Sequence, residues 1–357
     1  MDKVIQMMVG PTAIPDRVLK ALNRKAFSHR APEYAEIQKR VTDNLKKVFN
    51  TDNEVLVMTS SGTGAMEAVI QNCFSPGDEV VVPVMGGFGE QYAHMAEIYG
   101  LNVKRVKFEW GETADVSKVI SEVSSSAKGV FLTHNESTTG VFNDAEAFGK
   151  ALKNTDKLLV VDSVSGFGGL EIKMDEWGID VILTSSQKAL MSPAGLAFVA
   201  LSPKAWKATE SSKFPKYYFD FKLASEFNKK HQTLATPAIY TLLAVDEALK
   251  MMNEEGLHNI YLRHKENTRI LTEGIKEMGL KPFAKDEKFA SPTLTAISLP
   301  GKAKYIVNEL SKRNIMINGG LGALADDYFR VGVMGYVSKY DVLAFLDALK
   351  EILRDME

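Results

Sequence analysis

The stretch Leu158–Leu190 reads LLVVDSVSGFGGLEIKMDEWGIDVILTSSQKAL. An apolar run, Leu158–Val161, ends in Asp162. A second, Val181–Leu183, ends in Thr184, Ser185, Ser186 and Gln187, and Lys188 follows. Short β-rich apolar runs bounded by polar and glycine residues read as buried strands. Reactive groups in an open α/β sheet sit at the carboxyl ends of such strands. One acid and one amine are therefore expected at the same edge of a sheet, on two nearby strands.

Working outward, further strand signals precede this stretch. Glu54–Met58 (EVLVM) runs into Thr59-Ser60-Ser61-Gly62-Thr63-Gly64 and then a helical pattern from Ala65 to Phe74. A strand, a small-residue loop and a helix N-terminus form a phosphate-receiving arrangement; a plain glycine-rich turn before a helix would look the same. A Walker loop is excluded because no Gly-Lys-Ser/Thr follows; a dinucleotide site fits badly, because G-x-G-x-x-G is missing and no matching acidic residue sits on a second strand. Glu79–Pro83 (EVVVP) leads to Gly86-Gly87-Phe88-Gly89, with the next helix expected from Tyr92. Glycine flanks remove packing neighbours, so Phe88 reads as a ring free to lie on a ligand, or else as an anchor for the following helix. Gly129–Thr133 (GVFLT) is followed by His134-Asn135-Glu136-Ser137-Thr138-Thr139-Gly140, a loop dense in hydrogen-bonding side chains.

The flanks are simpler. Val9–Pro15 (VGPTAIP) is extended and proline-punctuated, and Asp16 is placed as N-cap of a helix over Arg17–Arg24. Gly195–Leu201 alternates and is expected to pair antiparallel. Beyond a helix ending at Gly256 the pattern becomes a long charged helix, Leu257–Met278, then strands and helices in β-α-β-β-α order, which suggests a small α+β domain. Within it Arg330 sits in the apolar strand Tyr328–Val333. Arginine is rare in such a place unless paired; it suits a substrate carboxylate, bound by a planar fork, or a structural ion pair.

Composition narrows the function classes. The chain has 357 residues, 45% hydrophobic and 25% charged, with a net charge of −2. No basic footprint argues for nucleic acid. One cysteine, Cys73, excludes an internal disulfide framework and a cysteine-rich metal site. The amino terminus lacks the apolar core of a signal peptide, and no apolar run nears the ~20 residues of a membrane helix. A cytoplasmic protein is the expectation.

Five features thus fall at separate strand ends: a phosphate-type loop, a glycine-flanked aromatic, a Ser/Thr loop, an acid and a lysine. Together they supply what pyridoxal phosphate requires: an anchor, a stacking ring, a donor to the ring hydroxyl, a partner for the pyridinium nitrogen and an amine for the Schiff base. Asp162 alone also reads as a helix N-cap or buried acceptor, and Lys188 alone as a surface lysine. In a buried site the lysine amine would be held neutral by desolvation and nearby cations.

With those motifs in place, the chain resembles the fold-type I, class V pyridoxal-phosphate aminotransferases. It is most similar to the alanine–glyoxylate / serine–pyruvate group, with 2-aminoethylphosphonate–pyruvate aminotransferases as near relatives. The resemblance runs from GPTAIP through SSGTGAMEAV, GGFGEQ, THNESTTGV, VVDSVSGFGG, TSSQKAL and TP to FRVGVMG. It implies a mostly parallel central sheet flanked by helices, spanning 16–256, a small C-terminal α+β domain, 257–357, and an N-terminal segment, 1–15, that joins the active site and small domain. It implies that Lys188 carries the cofactor, that Asp162 pairs with the ring nitrogen, that Val164 packs under the ring and that Phe88 stacks on it. It further implies that Ser137 lies by the ring oxygen and that Ser61, Gly62, Thr63 and Gln187 hold the phosphate. By the same resemblance Thr236 of a homodimer partner would complete the phosphate cup, Arg330 would bind the substrate α-carboxylate, and Gly10 would border the substrate pocket. No metal is implied.

Departures from the family pattern fall at Thr63, where some relatives have His, and at Thr233, in place of an aromatic phosphate ligand. His29-Arg30 resembles a loop that grips a distal substrate anion in phosphoserine aminotransferases, and also reads as a surface turn. The expected reaction is ping-pong transfer of an amino group from alanine, serine or a similar small amino acid to glyoxylate or pyruvate. The alternatives are a 2-aminoethylphosphonate or aspartate donor, a lyase or cysteine desulfurase, and a non-enzymatic binding subunit. A desulfurase requires a reactive loop cysteine, and Cys73 falls inside an apolar helix.

Overall fold

The computed structural model describes residues 4–25 and 27–356. The first three residues of the expected 1–15 segment lie outside them. The apolar runs of the first two hundred residues form seven strands: β1 (Glu54–Met58), β2 (Glu79–Val84), β3 (Asn102–Lys107), β4 (Ala127–Thr133), β5 (Leu158–Asp162), β6 (Val181–Ser185) and β7 (Ala197–Leu201). They make one sheet in the order β1-β7-β6-β5-β4-β2-β3. Strand β7 runs antiparallel to both neighbours, and the other pairings are parallel.

Both faces of this sheet are covered, which is why its strands read as continuous apolar runs. In β5, Leu159 and Val161 enter one core while Leu158 and Val160 enter the other. The edge strand β3 differs: Lys104, Arg105 and Lys107 interrupt it, and charge protects an edge from further pairing.

The register sets the site. Thr133 pairs with Asp162, and Asp162 with Leu183. The carboxyl ends of β4, β5 and β6 are thus adjacent, with Asp162 beside the strand that leads to Lys188.

A second sheet contains β8 (Lys281–Pro282), β9 (Leu294–Ser298), β10 (Asn318–Gly319) and β11 (Tyr328–Gly332), in the order β8-β9-β11-β10, all antiparallel. Helices Leu257–Glu277 and Lys339–Asp355 contribute Leu271, Ile275, Phe345 and Leu349 to its own core. The amino-terminal strand Ile5–Gln6 runs parallel to Ile315–Met316. The Gly332 amide donates to the Met7 carbonyl at 2.7 Å, so residues 8–12 are carried from this second sheet towards Lys188.

Two local expectations are corrected. Asp16 is not an N-cap: it is the first residue of helix Asp16–Ala21, behind Pro15, and makes no capping bond. The helix expected from Tyr92 begins at Gly87, because its first amides find acceptors in the distant 136–138 segment. No helix among the described residues is long and apolar enough to cross a membrane.

Candidate active site

Lys188 lies in the turn after β6, under the amino-terminal segment. Its Nζ donates to the Val9 carbonyl at 2.6 Å. Thr12 ties the same segment down: its amide donates to the Gln187 carbonyl at 3.0 Å, and its hydroxyl to the Lys188 carbonyl at 2.7 Å. Between them Gly10 adopts φ +128°, and a Cβ there would overlap Nζ, Cε and Cδ of Lys188. Glycine is needed twice over, for the dihedral and for the space. Gly10→Ala should therefore push the amine out of place and cut turnover by about 100-fold or more, a scale set by ångström-level misplacement of reacting groups. Steady-state kinetics beside a thermal melt checks this; a folded variant with unchanged kcat refutes it.

The acid and the amine have opposite perturbations. Burial pushes the Lys188 amine down to about 8, with help from the Arg330 charge and against the pull of Asp162. Burial pushes the Asp162 carboxyl up to about 6; the Val164 amide, donating at 2.9 Å, and the Lys188 charge oppose this, and the Glu136 charge adds to it. At neutral pH the acid is ionised and the amine readily gives up its proton.

Asp162 and Lys188 face one cavity of about 150 Å³, also lined by Ser61, Gly62, Thr63, Phe88, Ser137, Val164 and Gln187. Sequence reasoning named all of these; Met66, Gln91, Asn135 and Ser165 complete the wall and were not foreseen. One end of the cavity is the N-terminus of helix Gly62–Cys73. Its N-cap, Ser61, makes no side-chain capping bond, which leaves the hydroxyl and the first-turn amides for an anion. A Cβ on Gly62 would come within 2.5 Å of Val164 Cγ2, so glycine lets this helix end close against the cavity floor. Ser185 Oγ and the Gln187 and Asn135 side-chain oxygens are buried without a partner. Buried polar groups are normally satisfied, and orphans on and beside this cavity mark a place for a polar ligand.

Phe88 is half-buried on the first turn of helix Gly87–Ile98. Its glycine flanks exist for a reason opposite to the one expected. A Cβ on Gly86 would lie 2.5 Å from Glu136 Cδ, and one on Gly89 would lie 2.9 Å from the Pro83 carbonyl. Neighbours come too close for a side chain; they are not missing.

Arg330 is 6% exposed. Its Nε donates to the Gly319 carbonyl at 3.0 Å and its Nη1 to the Ser137 carbonyl at 3.1 Å. No carboxylate lies within ion-pair distance among the described residues, so the structural ion pair offered as an alternative does not form. A buried guanidinium held by carbonyls alone is poised for an anion.

Residues 8–345 match the family model described as Aminotransferase class-V. The chain belongs to the class-V aminotransferase family. It is 37% identical, over 99% of its length and 94% of the relative's, to the soluble hydrogenase 42 kDa subunit of Anabaena cylindrica. It is 34% identical to the serine–glyoxylate aminotransferase of Arabidopsis thaliana, over 97% of this chain and 89% of that one. Among solved structures, an alanine–glyoxylate aminotransferase from Nostoc sp. superposes with a TM-score of 0.94 at 30% identity, covering 99% of this chain and 96% of the other.

Some residues of this aminotransferase are not brought to the cavity within one chain. Thr236 is exposed and does not line it. Arg30 does not offer a free guanidinium to a distal anion: it donates to Gln232 Oε1 and to the Thr233 and Leu234 carbonyls at 2.8–3.1 Å, over the Phe227 ring. It braces the segment that leads to Thr236. Cys73 is buried, and burial pushes its thiol up to about 12, which removes the reactive thiolate a desulfurase requires.

Proposed function

We propose that this aminotransferase binds pyridoxal 5′-phosphate between Phe88 and Val164 and moves an amino group from a small amino acid such as serine or alanine to glyoxylate or pyruvate. The observation that carries the reading is the convergence of Lys188 and Asp162 on one cavity that ends in an open helix N-terminus, with a buried Arg330 lacking an acidic partner. The chain's similarity to serine–glyoxylate and alanine–glyoxylate aminotransferases supports the substrate class.

The residues fit the group chemically. Ser61, Thr63, Gln187 and the amides of helix Gly62–Cys73 would hold the phosphate, and Ser137, which lines the same cavity, would meet the ring oxygen. When bound, the cofactor supplies an aldehyde for the amine and a ring that withdraws electrons from the substrate Cα. Ionised Asp162 holds a proton at the ring nitrogen. Lys188, its amine lowered to about 8, would take the Cα proton and deliver it to the carbon that carried the cofactor aldehyde. Arg330 fixes the substrate carboxylate and so aims the Cα–H bond at Nζ, and the 9–12 segment closes over the amine and excludes water. Thr236 of a partner subunit, on the loop braced by Arg30, would complete the phosphate site of a homodimer.

The hydrogenase name of one relative does not carry over. Iron–sulfur clusters are held by several thiolates, and this chain has one cysteine.

A donor panel of alanine, serine, aspartate and 2-aminoethylphosphonate against glyoxylate and pyruvate tests the proposal. Cofactor absorbance should bleach with serine or alanine and return with glyoxylate or pyruvate, and double-reciprocal plots should be parallel. Bleaching by aspartate or the phosphonate alone would move the substrate class; no bleaching by any donor would sink the reading.

A further inference from the structure

Glu136 is fully buried, with no cation at ion-pair distance among the described residues. Its carboxylate is nevertheless saturated. One oxygen accepts the amides of Phe88 at 3.0 Å and Gly89 at 3.1 Å. The other accepts the Thr138 amide at 3.0 Å and the Thr138 hydroxyl at 2.6 Å. That hydroxyl in turn accepts the Gly87 amide at 2.9 Å.

The three first-turn amides of helix Gly87–Ile98 are thereby capped by a segment about fifty residues away in sequence. The local N-cap, Gly86, has no side chain to offer, and it is glycine because the capping pair occupies the space a Cβ would need. Burial pushes the Glu136 carboxyl up, whereas the bonds from Thr138, Gly89 and Phe88 favour the ionised form, and a negative charge at a helix N-terminus is favoured by the dipole. The cost of burying the charge is thus offset by the helix end.

Phe88 is the second residue of that helix. We propose that Glu136 is a positioning residue: acting with Thr138, it caps the Gly87–Ile98 helix from the neighbouring loop and so sets the Phe88 ring against the cofactor. This rests on the reading of Phe88 as the ring platform. Between Glu136 and Thr138, the Ser137 carbonyl also receives Arg330 Nη1. The same tripeptide therefore holds both the ring platform and the carboxylate-binding arginine.

The test is a double-mutant cycle on cofactor affinity, read by titrating cofactor-free protein with pyridoxal phosphate and by the visible circular dichroism of the bound chromophore. Glu136→Gln keeps the shape but replaces one two-bond acceptor oxygen with a donor. It should weaken cofactor binding by about 10- to 100-fold, the scale of lost hydrogen bonds to a charged group, and diminish the visible dichroism. In a Phe88→Ala background it should change affinity by less than about 2-fold, because the group it positions is gone. A variant that binds as tightly as the parent, or that loses as much affinity without Phe88 as with it, overturns the proposal. If Glu136→Gln does not fold, Thr138→Val, which removes only the Gly87 acceptor and the hydroxyl donor, runs the same cycle under the same criteria. Failure of the parent protein to take up the cofactor would instead reject the cofactor reading itself.

Discussion

Replacing Lys188 with alanine is expected to reduce transamination by at least about 1,000-fold, because under the proposed function the variant loses both the amine that would hold the cofactor and the group that would move the Cα proton; positioned proton transfer alone contributes 10²–10⁴-fold. The geometry offers no substitute. The amine reaches the cavity beneath Val9, with Gly10 cut back to make room, and no other lysine lines the cavity. A second readout separates this from simple damage. In the cofactor-free fold the amine titrates near 8 instead of its ordinary 10.5. Between those values the unfolded chain binds more protons than the folded one, so stability rises with pH across the window. Denaturant midpoints of the parent should climb from pH 8 to 10.5 relative to the alanine variant, with a difference on the order of 2–3 kcal/mol. Full turnover by the variant, or parallel pH–stability curves, would contradict the role given to Lys188.

How much of this could be read from the chain depends on the range of the signal. Asp162 was legible because it closes a buried apolar run and Lys188 because it follows closely on another, and a parallel sheet brings such ends to one edge. Ser61-Gly62-Thr63 was legible because strand, loop and helix are contiguous. Arg330 stood out as a charge in an apolar strand, although its carbonyl partners, Gly319 and Ser137, lie 11 and 193 positions away. Contacts made across the sheet left no local trace. The glycines around Phe88 read as an absence of packing, whereas they record the approach of Glu136 and Pro83. Thr12 reads locally as one residue of an extended segment, whereas its hydroxyl donates to the Lys188 carbonyl. Helix Gly87–Ile98 started earlier than expected for the same reason: its capping groups come from another loop. Local pattern reports which residues are unusual, and tertiary approach determines what they touch.

Arg330 carries the second large effect. Truncation to alanine is expected to lower kcat/KM for amino acids by about 30- to 3,000-fold, the range for removing one member of a desolvated, hydrogen-bonded charge pair. The loss should divide between KM, since the carboxylate loses its fork, and kcat, since the Cα–H bond is no longer aimed at Lys188. Arg330→Lys is the sharper variant. It keeps the charge but cannot donate simultaneously to Gly319, to Ser137 and to a bidentate carboxylate, so it should recover only a minor part of the activity. If Arg330 acts on the carboxylate, a primary amine lacking that group should be processed equally poorly by the parent and by either variant. If Arg330 only braces the Gly319 and Ser137 carbonyls, the variants should lose the same factor with that amine as with alanine or serine. The decisive comparison is therefore the ratio of the two substrates across three proteins. A collapse of the ratio on going from arginine to alanine assigns the guanidinium to the substrate; a constant ratio assigns it to the fold.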